Sequence, residues 1–391
     1  MSKLLNERWS ETKDALLEGL QGNRRQSMAV CLENTRRYLA EAATAGATSA
    51  GNIATLNRVI LPVIRRVMPT VIANEIVGVQ PMTGPVGQIH TLRVRYADSA
   101  NNVVAGEEAL SPFKIAAAYS GNNVDASPRA DTTAALEGTP GKRMSIQILK
   151  TPVEAKSRKL SARWTFEAAQ DAQAQQGIDI EAEIMAALAQ EITAEIDQEI
   201  LTSLRSLASV EETYDQSLVS GTATFVGDEH AALAIQINRV SNLIAQRTRR
   251  GSANWAVVSN QALTILQSAT TSAFARTTEG TFEAPTNTKF VGTLNGAMRV
   301  YVDAYMSDTN DNNQILVGYK GSSEADAAAF YCPYIPLMSS GVVLDPATFE
   351  PVVGFLTRYG YVELTNTASS LGNAADYLGK VAITSANVSF K

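Results

Sequence analysis

Between Gly177 and Leu207 the large apolar residues fall four apart, at Ile180, Ile184, Leu188, Ile192, Ile196, Ile200 and Leu204, with neither Pro nor Gly among them. That spacing predicts one long helix. Gly177 breaks the chain ahead of it, and Asp179, Glu181 and Glu183 supply carboxylates where the positive end of a helix favours them. An α-helix turns about 100° per residue, so a repeat of four drifts about 40° at each step and roughly 240° over the run. A stripe that winds so far cannot be covered by one neighbour. Several elements or subunits are expected to share it, and a lone molecule is expected to leave it too exposed.

Upstream, residues 3–41 form a polar, helix-prone arm with a weak apolar face at Leu4, Leu5, Trp9, Leu16, Leu17 and Leu20. This pattern suits an interaction segment or a removable one better than a core element. Ala42 to Asn52 has no side chain large enough to pack and reads as an extended linker. Ile60, Leu61, Ile64 and Met68 have helical spacing, and Pro69 ends it. The Gly- and Pro-dense run Gly78 to Gln88 predicts turns leading into a strand, Ile89 to Tyr96, where Leu92, Val94 and Tyr96 alternate with Arg93 and Arg95.

Residues 97–141 are poor in large apolar side chains and hold six acids against Lys114 and Arg129, the mark of a long projecting hairpin. Return strands follow at Met144 to Leu149 and Lys159 to Phe166. In the second, Leu160, Ala162, Trp164 and Phe166 alternate with Lys159, Ser161, Arg163 and Thr165. After Leu207 the pattern becomes α/β. A helix from Ala231 to Arg250 is capped by Gly251, with strands at Trp255 to Ser259, Met298 to Asp303, Ile315 to Tyr319, Val353 to Leu364 and Lys380 to Phe390.

Charge adds a second feature to the long helix. Asp179, Glu183, Glu191, Glu195 and Glu199 run along it in the same register, with no Lys or Arg before Arg205. Like charges so placed repel weakly, so a basic partner is expected. Lys142, Arg143, Lys156, Arg158, Lys159 and Arg163 are the candidates, meeting Glu191, Glu195 and Glu199 within or across subunits. On that reading charge reversal at Arg158 and Lys159 impairs assembly and leaves the monomer folded.

The whole chain of 391 residues carries a net charge of −6, which excludes general attraction to nucleic acid. Two distant cysteines, Cys31 and Cys332, make no disulfide framework or zinc site. No apolar run reaches the roughly 18 residues of a membrane span and no secretory signal is recognisable, so a soluble, cytoplasmically made chain is expected. His90 and His230 stand in no metal spacing, and no GxGxxG, GxxxxGK[ST] or GxSxG occurs. Asp308 to Asn313 opens like a calcium loop but places Tyr319 where the bidentate Glu belongs, so a hairpin tip is expected there. No cofactor, metal or catalytic residue is expected.

Pro62 to Pro69, Gly78-Val79-Gln80-Pro81 to Gln88, Tyr331 to Leu337 and Pro351 to Gly360, with its Gly354-Phe355-Leu356-Thr357-Arg358-Tyr359-Gly360, closely resemble the major capsid proteins of T-even-like tailed phages. The helix after Gly177 is similar too. The resemblance implies an α+β, HK-97-like (Johnson) fold: N-terminal arm and linker at 1–85, E-loop hairpin at 86–166, P-domain spine helix at 167–207, A-domain at about 208–345 and returning P-domain strands at 346–391. It implies a shell protein forming hexamers and pentamers of an icosahedral or prolate head around double-stranded DNA, assembled in the bacterial cytoplasm and ending in the virion capsid. Portal, scaffold, maturation protease and cement or decoration proteins are its implied partners, and no membrane is. The short 97–141 segment has little space for the E-loop insertion of large T-even members, so longer contacts or an added cement protein would substitute. The family's protease cuts after Glu in a Leu/Ile-x-Glu context, which points to Glu41 and Ala42, with Glu18 and Gly19 second. The alternatives are a nanocompartment shell of the same fold enclosing cargo enzyme, and a soluble α/β enzyme.

Overall fold

The predicted long helix spans Ile180–Leu207 in the computed structural model of the chain, and the Asp179 carboxylate caps it by accepting from the Glu181 N–H at 3.1 Å. The structure describes residues 20–44, 72–100, 119–124, 127–138, 140–176, 179–215, 226–248, 250–269, 288–303, 313–324, 326–348, 350–364 and 374–385, with a few shorter stretches beside them. The expected helix at 60–68 and the acidic loop at 308–312 lie outside these residues, as do Glu18, Gly19 and positions 386–390 of the last expected strand.

In chain order the elements are α1 (Gly22–Thr44), α2 (Ala73–Ile76), β1 (Gly78–Val79), β2 (Val86–Tyr96), β3 (Asn122–Val124), β4 (Ser127–Arg129), α3 (Thr133–Leu136), β5 (Met144–Glu154) and β6 (Lys156–Arg163). The long helix, α5, follows a separate α4 (Phe166–Gln176). Then come β7 (Val210–Asp215), α6 (Val226–Thr248), β8 (Trp255–Val258), α7 (Asn260–Ser268), β9 (Phe274–Arg276), β10 (Thr288–Leu294), β11 (Met298–Asp303), β12 (Gln314–Gly318), β13 (Ala329–Leu344), β14 (Pro351–Glu363) and β15 (Leu378–Ser385).

Helices and largely antiparallel sheets segregate, as in an α+β fold. One sheet has the order β1-β13-β14-β6, a second β7-β15-β12-β8-β11-β10-β9, and β2 pairs with β5 in a ribbon of two strands. The sheets divide differently from the expected boundary at 345/346. β13 lies in the four-stranded sheet although its residues fall in the expected A-domain, and β15 lies in the seven-stranded sheet although it was expected among the returning strands. Pairing decides both: β13 runs antiparallel to β14 along most of its length, and β15 inserts between β7 and β12.

The apolar stripe of α5 is covered by its own chain. Leu188, Ile192, Ile196, Ile200 and Leu204 are buried in one cluster with Met28 and Leu32 of α1, Ile72, Ile76, Tyr331, Val353 and Phe355, and with Trp255, Tyr301 and Leu378 of the larger sheet. The winding of the stripe is therefore answered by several elements, and the expectation that copies must close over it is corrected. β8 separates two cores. Trp255 and Val257 join the α5 cluster, while Ala256 and Val258 point the other way, into a core with Leu233, Ile237, Val240 and Ile244 of α6.

The arm is also corrected. Leu17, Met28, Cys31 and Leu32 belong to the main core, and α1 continues to Thr44, through the first residues of the expected linker.

Candidate assembly interface

Two surfaces bear on self-association, the basic strand β6 and the β2–β5 ribbon. β6 pairs with β14 on one edge only. Its alternation sends Arg158, Leu160 and Ala162 toward α5 and leaves Lys159, Ser161 and Arg163 on the outer face. Arg158 meets the acidic row inside its own chain: Nη1 donates to Glu195 Oε2 at 2.7 Å, Nη2 to Glu199 Oε2 at 2.5 Å and Nε to the Tyr359 hydroxyl at 2.6 Å. Tyr359 in turn donates to Glu199. Partial burial pushes the Glu199 carboxyl up, but the hydrogen bonds from Tyr359 and Arg158 outweigh it and hold the group below its ordinary range.

The other candidate residues go elsewhere. Arg163 Nε lies 3.7 Å from Glu350, and Arg143 donates its backbone N–H to Asp98 at 2.8 Å while its guanidinium approaches at 3.5 Å. Those contacts hold Asp98 below its usual value, the backbone hydrogen bond foremost. Lys142 sits 5.8 Å from the centre of the Tyr119 ring. Lys156 lends Glu199 only a longer-range attraction, and Lys159 and Glu191 are exposed, unpaired among the described residues. Of the expected contacts, then, only Arg158 with Glu195 and Glu199 is formed, and it is internal. Parity could have shown this: Arg158 shares the even-numbered, apolar side of β6 with Leu160 and Ala162.

The ribbon presents an apolar row instead. Its 11 paired positions run from Val86↔Glu154 to Tyr96↔Met144. Met144, Ile146 and Ile148 stand on one face of β5, 52%, 69% and 62% exposed, and Val86 is 60% exposed. A lone ribbon with such a face is marginal in water, because nothing offsets the ordering of its strands. At its far end Tyr96, Val103, Ala109 and Tyr119 close a small core of their own.

The chain matches the family model described as major capsid protein Gp23 over residues 53–383. The chain belongs to the Gp23 family of major capsid proteins. Similar curated proteins are the major capsid proteins of Vibrio phage KVP40, 30% identical over 83% of this chain and 80% of that one, and of Enterobacteria phage T4, 28% identical over 83% and 78%. Among solved structures, the asymmetric unit of the bacteriophage PhiM1 mature capsid aligns over 79% of this chain and 85% of that one, at 11% identity and a TM-score of 0.45, a distance at which the likeness says nothing of function. Membership places the protein among the shell-forming, non-enzymatic structural proteins of tailed phages and in the virion capsid, rather than among nanocompartment shells or enzymes.

Within this Gp23-family fold, buried charge ties α5 to the A-domain sheet. Asp303 at the end of β11 is fully buried and accepts from Arg205 at 2.5 Å and Gln198 at 2.8 Å. Asp197, also buried, accepts from the Ile72 N–H at 2.9 Å. Burial, with the neighbouring Asp303 charge, pushes the Asp197 carboxyl up to about 7. None of these groups is marked in sequence by more than a polar residue within an apolar helix. His230, considered as a base, has its Nδ1 2.5 Å from the Ser268 hydroxyl, and burial lowers its pKa. The candidate cleavage bond Glu41–Ala42 lies within the last turn of α1, not in an extended linker.

Proposed function

We propose that this capsid protein builds hexamers and pentamers of an icosahedral or prolate head through its β2–β5 ribbon, the E-loop, laid by each copy along the body of the next. The observation that carries this reading is the exposed row Met144, Ile146 and Ile148 on a ribbon with no third strand. A neighbouring copy would bury it, and many such modest contacts add through closed symmetry. Lys156, Lys159 and Arg163 on β6 and Lys142 and Arg143 at the ribbon's base are the cations, and Glu191 the acid, available to steer copies together. Double-stranded DNA packaged without sequence-specific contacts, assembly in the bacterial cytoplasm, and portal, scaffold, cement protein and a protease acting after Glu41 complete the reading.

Ile146→Lys with Ile148→Lys tests it. Both side chains are already exposed, so the variant monomer keeps its thermal midpoint while shells disappear from electron micrographs. Normal particle yield from that variant rejects the ribbon as the contact. Nuclease-protected DNA in wild-type particles is the matching check on cargo.

A further inference from the structure

The N-terminal helix α1 is held as a ligand is held in a groove. Ser27, Met28, Cys31 and Asn34 follow helical spacing along one side, and all four are at least 95% buried. Asn34 Nδ2 donates to two backbone carbonyls, Met82 at 2.7 Å and Tyr334 at 3.0 Å, which belong to different segments of the body. Cys31 Sγ sits 4.0 Å from the Pro333 carbonyl. One turn earlier Arg24 pairs with Glu75, which also receives Arg299 at 2.8 Å and the Tyr301 hydroxyl at 3.3 Å from β11. The helix therefore touches both sheets, β13 through Asn34 and Cys31 and β11 through the shared carboxylate of Glu75.

All these contacts lie between residues 24 and 34, ahead of the Glu41–Ala42 bond. We propose that the groove formed by β13, the Met82 turn and Glu75 is a helix-binding site whose occupant is α1, and that the arm stays bound to the body after the backbone between them is cut. Cleavage near Glu41 then yields a particle carrying the arm as a separate peptide. Removing it would strip the Met82 and Tyr334 carbonyls of their side-chain donor and expose the apolar floor at Tyr331 and Leu337. The inference concerns an intramolecular contact and does not rest on whether the natural chain is processed.

The test uses the full chain with a protease recognition sequence placed within Ala45 to Asn52. After cutting, size-exclusion chromatography at micromolar concentration and intact-mass analysis of the peak should find arm and body together. Amides at 79–82 and 330–335 should keep their protection from hydrogen exchange. Asn34→Ala should speed loss of the cut arm about tenfold, the worth of roughly one buried hydrogen-bonding group, and Arg24→Ala should raise exchange at 73–76. A cut arm of native sequence that elutes apart from a folded body overturns the proposal, as does an Asn34→Ala arm retained as long as the native one. Neither result depends on shell formation, so failure here is distinguishable from failure of the assembly reading.

Discussion

Replacing Arg158 with Ala removes three hydrogen bonds at once, to Glu195, Glu199 and Tyr359, and leaves Glu199 with the Tyr359 hydroxyl alone. The Arg158 side chain is 33% exposed and its carboxylate partners 44% and 38%, so solvent screens much of the attraction. Each such pair is then worth about 0.2–1 kcal/mol, and the cluster about 1–2 kcal/mol. The sign of the pH dependence follows from Glu199, whose folded pKa lies below its unfolded value near 4.3. Its contribution is fully present above that unfolded value and is lost as pH falls through the lower folded one. Urea unfolding followed by near-ultraviolet circular dichroism should show the full deficit of Arg158→Ala at pH 7 and a shrinking one below about pH 4. Charge reversal separates the two faces of β6. Arg158→Glu destabilises the monomer further, whereas Lys159→Glu, on the outer face, leaves monomer stability within about 0.5 kcal/mol and acts only on assembly. A deficit at pH 7 that persists unchanged at pH 3, or a Lys159→Glu monomer as unstable as Arg158→Glu, would refute the reasoning.

Asp197→Asn gives a second pH signature. Its folded pKa is raised to about 7, so its stabilisation is complete below the unfolded value and is lost as pH rises through 7. The amide keeps an acceptor for Ile72, and the variant should melt higher than wild type at pH 8 and no higher at pH 4, as thermal scans at both pH values would reveal. Gly78→Ala should cost at least about 2 kcal/mol, because a Cβ there would meet the Glu324 backbone oxygen and the Phe330 ring. A wild-type unfolding midpoint for that variant would show that the β1–β13 pairing is looser than its geometry implies.

Elements with strong periodicity were legible. α5, α6, the ribbon and the strands around 255, 298, 315 and 353 fall within a few residues of their expected places. What failed was the step from an element to its neighbour. The seven apolar residues of α5 announced a stripe too wide for one partner but not which partners, since coverage by α1, two sheets and Ile72 is a product of topology. β13 escaped notice because Pro333, Pro336 and Gly341 interrupt its 16 residues. The structure accommodates them with three register shifts against β14 and a left-handed Gly341, φ 71°. α1 looked removable because its buried side is made of Ser27, Met28, Cys31 and Asn34 rather than of branched aliphatics. The Gly78-Val79-Gln80-Pro81 motif, by contrast, was recognised by resemblance and now has a cause: Gly78 admits the Glu324 carbonyl, and Gln80 donates its N–H to Tyr331 at 3.0 Å.

The polar groups of α5 show how one helix can serve two sheets. Taking Glu195 as zero, Glu199 lies about 40° round the helix, while Asp197, Arg205 and Gln198 fall near 200°, 280° and 300°. The first pair faces Arg158 and Tyr359 of the four-stranded sheet; the others face Ile72 and Asp303, the latter at the end of the seven-stranded one. The two sets share no partner, so substitutions in one should add to substitutions in the other without coupling. They also differ in kind. The Arg158 set is partly open to solvent and weakens with salt, whereas Asp303 is fully buried, and removing Arg205 would leave an uncompensated charge inside the protein. The stronger constraint on α5 therefore sits on the side facing the A-domain sheet. The side facing the P-domain sheet, beside the exposed cations of β6, is the one that can adjust when copies meet.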